Sequence, residues 1–265
     1  MYVPKGCEPS PVDKAVGAWL WSGRRAIPAG LSAAALHGAK WIDPKSPAEL
    51  NQPSRFKTTG ILLHSDTLAP EEICRVGGIP VTTPARTAYD LGRRPGTTLA
   101  VIRLDALMQA TGLRPADITM TANRHRGARG IIGLRAVIEL SDPGAESPQE
   151  TRTRLVLTAA GLRPTHTQIE VYDDVGFVAR IDMGWPAWKV GVEYDGTQHW
   201  TDPRVRNNDI DRHAELERLG WRIIRVNADL LRQRPGAMIR RVRAALLSAG
   251  ANVNSCATSE RNLAQ

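Results

Sequence analysis

The residues best suited to chemistry lie in two short runs, Ile181-Asp-Met-Gly-Trp-Pro186 and Val192-Glu-Tyr-Asp-Gly-Thr-Gln-His-Trp200. Read as the strands of a hairpin, Phe177, Ala179, Ile181 and Met183 share one face of the first strand, and Asp182 takes the other. On the second strand Val190, Val192 and Tyr194 share a face, opposite Glu193 and Asp195. With a turn from Trp185 to Val190, Asp182 and Glu193 fall side by side. Like charges directly opposite one another destabilise a strand pair, so the pattern predicts a cation between them. Converging carboxylates suit a hard divalent ion, and Mg²⁺, with Mn²⁺ as a substitute, is the usual occupant beside phosphates. Metal-assisted phosphodiester chemistry is the expectation.

Three further residues join this set. Ser147-Pro-Gln-Glu150 reads as a helix start in which Glu150 caps the first turn, and its carboxylate could also reach a metal held by Asp182 and Glu193. Asp195 shares the face of Glu193. His199 follows the Gly196 turn in a loop position suited to proton transfer. Each has a plainer reading: an ion pair of Asp182 with Arg180, solvent-face acids at Glu193 and Asp195, an inert histidine at position 199. Trp185, Trp188, Trp200 and Trp221 could stack on bases, although tryptophans near a hairpin more often pack in the core.

The elements that must position these groups follow a clear order. A helix from Ser147 to Ala160, strands at Thr167–Tyr172, Phe177–Gly184 and Trp188–Tyr194, a helix from Arg204 to Leu219, a strand Trp221–Val226 and a final helix to Leu247 make αβββαβα. That is a three-layer α/β domain. It is separated from the first half by the polar break Ser141-Asp-Pro-Gly-Ala-Glu-Ser-Pro148. The expected organisation is a mixed α/β domain over 1–140, a linker over 141–148, the α/β domain over 149–248 and a flexible tail over 249–265. In the first half, helices are expected at Val12–Trp21, Leu31–Gly38 with Ser32 as cap, from Pro84 with Thr83 as cap, and at Leu99–Ala110, Pro115–Asn123 and Ile131–Leu140. Gly60–His64 reads as a buried strand. Asn123-Arg-His-Arg-Gly-Ala-Arg-Gly130 reads as a solvated turn, with phosphate contact as the alternative. His37 and His64 are assigned no chemistry.

The 265 residues carry a formal net charge of +8 and a pI near 9.9, a balance that attracts polyanions such as nucleic acid. Cys7, Cys74 and Cys256 are scattered without a CxxC pair, which excludes a zinc ribbon or disulfide scaffold. With no signal peptide and no apolar run of spanning length, the expected setting is the cytoplasm, without membrane contact.

The αβββαβα order with its acids resembles the PD-(D/E)XK nuclease superfamily, the restriction-endonuclease-like fold. The family's acids, on the first helix, the second strand and the third strand, match Glu150, Asp182 and Glu193. Its lysine position holds Asp195, a departure. The Glu193-x-Asp195-Gly196 run followed by His199 is similar to the very-short-patch-repair-like branch known as DUF559. The resemblance covers about residues 147–247. It implies a Mg²⁺-dependent endonuclease acting on DNA, with Glu150, Asp182 and Glu193 on the metal and with Asp195 or His199 in place of the lysine.

The first half, through Ser32-Ala-Ala-Ala-Leu-His-Gly38 and Ile79-Pro-Val-Thr-Thr-Pro-Ala-Arg-Thr-Ala-Tyr-Asp-Leu91, is similar to AbiEi-like type IV antitoxins. Met1-Tyr-Val-Pro-Lys5 aligns with the segment that follows the winged helix of those proteins. The alternative this implies is a catalytically inactive nucleic-acid-binding regulator, or a module that pairs with a toxin.

Overall fold

The computed structural model describes residues 6, 8–53, 58–196 and 203–252, with backbone alone at 203–210. The chain divides into two compact units, Met1–Glu146 and Ser147–Gln265.

The first unit runs α1 (Pro11–Trp21), β1 (Ile27–Pro28), α2 (Gly30–Leu36), β2 (Ala48–Asn51), β3 (Ile61–His64), β4 (Ile73–Val76), β5 (Ile79–Thr82), α3 (Pro84–Gly92), α4 (Thr97–Thr111), α5 (Pro115–Arg124) and α6 (Ile131–Leu140). β1-β2-β3 form one small sheet, and β4 and β5 form a hairpin. Thr83 caps α3 as expected, its hydroxyl accepting the Arg86 N–H at 3.3 Å. Ser32 does not cap α2. It lies inside the helix, where its Oγ accepts the Glu49 N–H at 2.8 Å, and Ala29 holds the cap position. The strand expected to be buried at 60–64 is instead an edge strand, and Leu62 is exposed. Residues after α6 stay fastened to this unit: Asp142 N–H donates to Asp105 at 2.8 Å, and the Trp41 indole donates to the Glu146 carbonyl at 3.1 Å.

The first unit also buries several charges. Arg86 is 2% exposed, and donates to Asp90 at 2.9 Å and Glu72 at 2.8 Å. Glu49 is held by Arg94 and His64, the latter at 2.8 Å. The His64 ring, given no chemistry from sequence, thus completes a buried ion network. His37 meets the Thr82 carbonyl at 2.8 Å.

The second unit runs α7 (Pro148–Ala159), β6 (His166–Tyr172), β7 (Phe177–Trp185), β8 (Val190–Tyr194), α8 (Pro203–Arg218), β9 (Arg222–Val226), α9 (Ala228–Gln233) and α10 (Pro235–Ser248). The sheet order is β6-β7-β8-β9. The first three strands are antiparallel, and β9 returns parallel to β8 after the α8 crossover. A single final helix was expected, but Pro235, which lacks an N–H and suits a helix start, separates α9 from α10. Helices pack through two hydrophobic clusters. One joins Leu157 of α7 and Met238, Val242 and Leu246 of α10 to Met183, Val190, Val192 and Val226. The other joins Leu216 of α8 and Trp221 to Val171, Ala179 and Ile181.

The continuous apolar face expected from Phe177 to Met183 is therefore not kept. Phe177 is exposed, and Ile181 and Met183 belong to different clusters. The switch falls at Asp182. Beside it, Gly184 pairs with Gly191, and a Cβ on Gly184 would lie 2.3 Å from the Val190 carbonyl oxygen. Only glycine lets the two backbones approach that closely.

Candidate active site

The β7–β8 ladder runs Trp185–Val190, Gly184–Gly191 and Met183–Val192. Continued one step, it sets Asp182 opposite Glu193, the register expected from sequence. Ladder pairing stops at Met183, and the Asp182 carboxylate takes over, with Oδ2 accepting the Tyr194 N–H at 2.7 Å. A side chain there does the work of a backbone acceptor, so the two strands part at the residues with chemistry.

The other neighbour of β7 is irregular at the same level. β6 pairs Thr167 with Met183 and Ile169 with Ile181, passing over Gln168, whose φ of 49° lies in the left-handed region. Such a conformation is costly for a residue with a Cβ and recurs at functional sites. Gln168 Nε2 donates to Glu150 Oε2 at 3.3 Å. Glu150 is near the start of α7, where Ser147 accepts its N–H at 3.2 Å and donates its hydroxyl to Glu150 Oε1 at 2.8 Å. Ser147 thus makes the cap, and the Glu150 side chain accepts its hydroxyl in place of the expected Ser147 N–H while also facing the sheet, 8% exposed.

Glu193, also 8% exposed, is gripped by Arg212 of α8, with Nη1–Oε1 at 2.9 Å and Nη2–Oε2 at 3.0 Å. Such a two-point pair is both directional and strong. Among the described residues Asp182 has no such two-point partner of its own. Burial, then the negative charge of Glu150, push its carboxyl up to about 7, and Glu193 adds to the effect. The Tyr194 N–H and the Arg212 charge oppose this rise without cancelling it. Arg180 is exposed and registered against Glu170, so the simple ion-pair reading of Asp182 loses its partner.

The expected set is thus partly gathered. Asp182 feels the charge of both Glu150 and Glu193. Yet among the described residues no three His, Cys, Asp or Glu side chains stand close enough to form a ready metal site. Asp195 follows the end of β8, half-buried, with its N–H on the Val226 carbonyl at 2.8 Å. His199 and Trp200 lie outside the described residues. Trp185 is buried with its indole on the Arg163 carbonyl at 3.0 Å, and Trp221 is buried in the α8 cluster. Both are core residues and offer no stacking surface. Two residues escaped the sequence reading. Gln168 carries no composition signal. Arg212 does carry one, because it stands four residues before the fully buried Leu216 and so on the inward side of α8.

Residues 28–140 match the family model for the AbiEi antitoxin C-terminal domain, and residues 155–246 match the family model REase_MTES_1575, a restriction-endonuclease-like domain. Two proteins of Mycobacterium tuberculosis, each described as uncharacterized, are 28% identical over 236 residues: MT2308 of strain CDC 1551 / Oshkosh and Rv2248 of strain H37Rv. Each match covers 89% of this chain and 86% of the relative. No solved structure matches. The chain is thus similar, in that order, to the AbiEi antitoxin C-terminal domain and to a restriction-endonuclease-like domain.

Proposed function

We propose that the second unit is a metal-dependent nuclease that hydrolyses phosphodiester bonds, with DNA as its substrate. The observation that carries this reading is the uncompensated carboxyl of Asp182, held near neutrality by burial and by Glu150 and Glu193. Perturbed acids of this kind gather at reactive sites. The donor set fits a hard divalent cation, Mg²⁺ or Mn²⁺: all oxygen, two acidic side chains in adjacent strands and a third on the neighbouring helix. Asp182 and Glu193 would hold the ion and Glu150 would assist. A divalent ion there neutralises phosphate charge and lowers the pKa of bound water.

The chain's own residues have definite tasks. Asp182, with its carboxyl pushed up to about 7, would hold the ion in its deprotonated form. Glu193 would help to hold the ion, and Arg212, which grips Glu193 at two points, carries a guanidinium of the kind that meets phosphate oxygens in two-point fashion. Gln168 fixes one Glu150 oxygen. Asp195 or His199 orients water or protonates the leaving oxygen where the lysine of similar proteins is absent.

A second reading, an inactive nucleic-acid-binding regulator, draws support from the same Arg212 clamp, which already neutralises Glu193. A cleavage assay on mixed DNA and RNA with Mg²⁺, Mn²⁺ or EDTA separates the two. The nuclease reading expects metal-dependent cutting that EDTA stops. It also expects His199→Ala to slow that cutting by about 10²–10⁴-fold, the usual worth of general acid–base catalysis. No cutting under any metal condition would favour the regulator.

A further inference from the structure

The first unit contains a cavity of about 630 Å³ that the nuclease chemistry leaves unused. Its wall carries four arginines, Arg86, Arg93, Arg94 and Arg129, with His64, against two carboxylates, Asp66 and Asp90. The other acids of the network, Glu49 and Glu72, are not part of the wall and hold the guanidinium groups from behind it: Glu49 takes Arg94 and Glu72 takes Arg86. Arginines fixed in this way are pre-oriented for a ligand. Arg86 is spent and sealed, but Arg93 and Arg94 remain 24% and 26% exposed. Arg93 uses Nε and Nη2 on Asp90 and Nη2 also on Asp66 at 3.4 Å, which leaves Nη1 without a partner among the described residues. Arg129 is exposed and makes no ion pair or hydrogen bond among the described residues.

Two backbone features add donors at the same wall. The cap residues of α4 and α6 are Gly96 and Gly130, with φ of 94° and 85°, and neither has a side chain to satisfy first-turn N–H groups. Gly130 cannot be replaced without movement, because a Cβ there would lie 2.2 Å from the Arg93 carbonyl oxygen. The start of α6 is thereby brought against Arg93. It belongs to the basic glycine loop Asn123–Gly130, whose phosphate-contact reading stood second on sequence alone. Beyond the arginines the wall turns apolar at Leu68 and Val137. The volume falls in the usual range of small-molecule sites, about 300–1,000 Å³.

We propose that this cavity binds a nucleotide through its terminal phosphate monoester, the phosphate meeting Arg93, Arg94 and Arg129 and the nucleoside body lying against Leu68 and Val137. The ligand is a free mononucleotide or the 5′-phosphorylated end of a strand. Both present the same group. The site is in the first unit and does not depend on the nuclease reading.

The test is isothermal titration of the full chain, without divalent metal, with the four common 5′-mononucleotides, their nucleosides, and a dinucleotide with and without a 5′-phosphate. At least one mononucleotide is expected to bind saturably while its nucleoside does not. Arg129→Glu should weaken binding by about tenfold or more, the scale of one lost charge-assisted contact. Gly133→Phe should abolish it by filling the cavity, since a Cβ at Gly133 meets nothing within 4 Å. Both variants should melt as the parent does. Equal binding by the 5′-phosphorylated dinucleotide assigns a strand end, and preference for the mononucleotide assigns a free nucleotide. The proposal is overturned if no phosphorylated probe saturates, if nucleosides bind as well as nucleotides, or if both variants bind like the parent.

Discussion

Glu49 in the first unit and Asp182 in the second are both removed from water, and they titrate in opposite directions. Burial alone would raise Glu49, but hydrogen bonds from His64 and Arg94 and the Arg94 charge bring it down to about 2. Burial raises Asp182, and Glu150 and Glu193 push the same way, to about 7, against the smaller pull of the Tyr194 N–H and the Arg212 charge. The difference lies in the company each acid keeps. Around Glu49, Glu72 and Asp90 the chain supplies Arg94, Arg86 and Arg93, and the acids are structural. Around Asp182 it supplies more acid. The chain matches its buried carboxylates fully in one unit and leaves one without an ion pair in the other, and the proposed cation site rests on that contrast.

Breaking the matched network should have the largest effect. Arg86→Met takes the shared guanidinium away from the buried Glu72 and Asp90, which keep only His125 and Arg93 respectively, a loss expected to cost the first unit about 3 kcal/mol. Chemical denaturation followed by a first-unit signal reads this directly. A cost below 1 kcal/mol would mean the network is not what holds the unit.

Next comes the unmatched site. Asp182→Asn should lower cleavage by about 10³-fold, roughly 4 kcal/mol of lost transition-state stabilisation, while the melting temperature stays level or rises. The rise is expected because Asn removes one of three mutually repelling acids. A variant that loses stability and keeps its activity would reverse the comparison.

Smaller, and of opposite sign in the two units, is the effect of pH. Glu49 has a folded pKa near 2 against an ordinary 4.5, so its stabilisation is present above pH 4.5 and is lost as pH falls toward 2. Asp182 has a folded pKa near 7 against 3.8, so the folded state holds its proton longer and stability falls as pH rises from about 4 to 7. Melting curves of the parent and Asp182→Asn across that interval should differ in slope, with the variant flatter. Parallel slopes would show that Asp182 titrates normally.

How much of this was legible in the sequence depends on whether the cause was local. The order of helices and strands through β9 and the Thr83 cap follow from periodicity and turn chemistry, and they stand, while the β7–β8 ladder pairs as far as Met183 with Val192, one step short of Asp182 and Glu193. Ser32 misled because Ser-Ala-Ala-Ala resembles a capped start, whereas its hydroxyl is claimed by Glu49 from β2, a partner distant in sequence. The switch of clusters at Asp182 was hidden because Ile181 and Met183 pack against helices distant in sequence, Ile181 with Leu216 of α8 and Met183 with Met238 and Val242 of α10. The Arg212 clamp and the arginine-walled cavity were hidden for the same reason, since each joins residues from several elements. Alternation predicts which side of a strand a residue takes, and it does not predict which distant charge will meet it there.

The most direct test of Asp182 as part of a cation site is Mg²⁺ binding by the full chain at pH 7, titrated calorimetrically in two buffers of different ionisation heat. A carboxyl with its pKa near 7 must shed its proton to become a ligand, so saturable binding should release about half a proton per ion. In Asp182→Asn both the release and most of the affinity should vanish. Absence of saturable binding, or binding with no proton released and undiminished in the variant, would contradict the assignment of Asp182 to a metal.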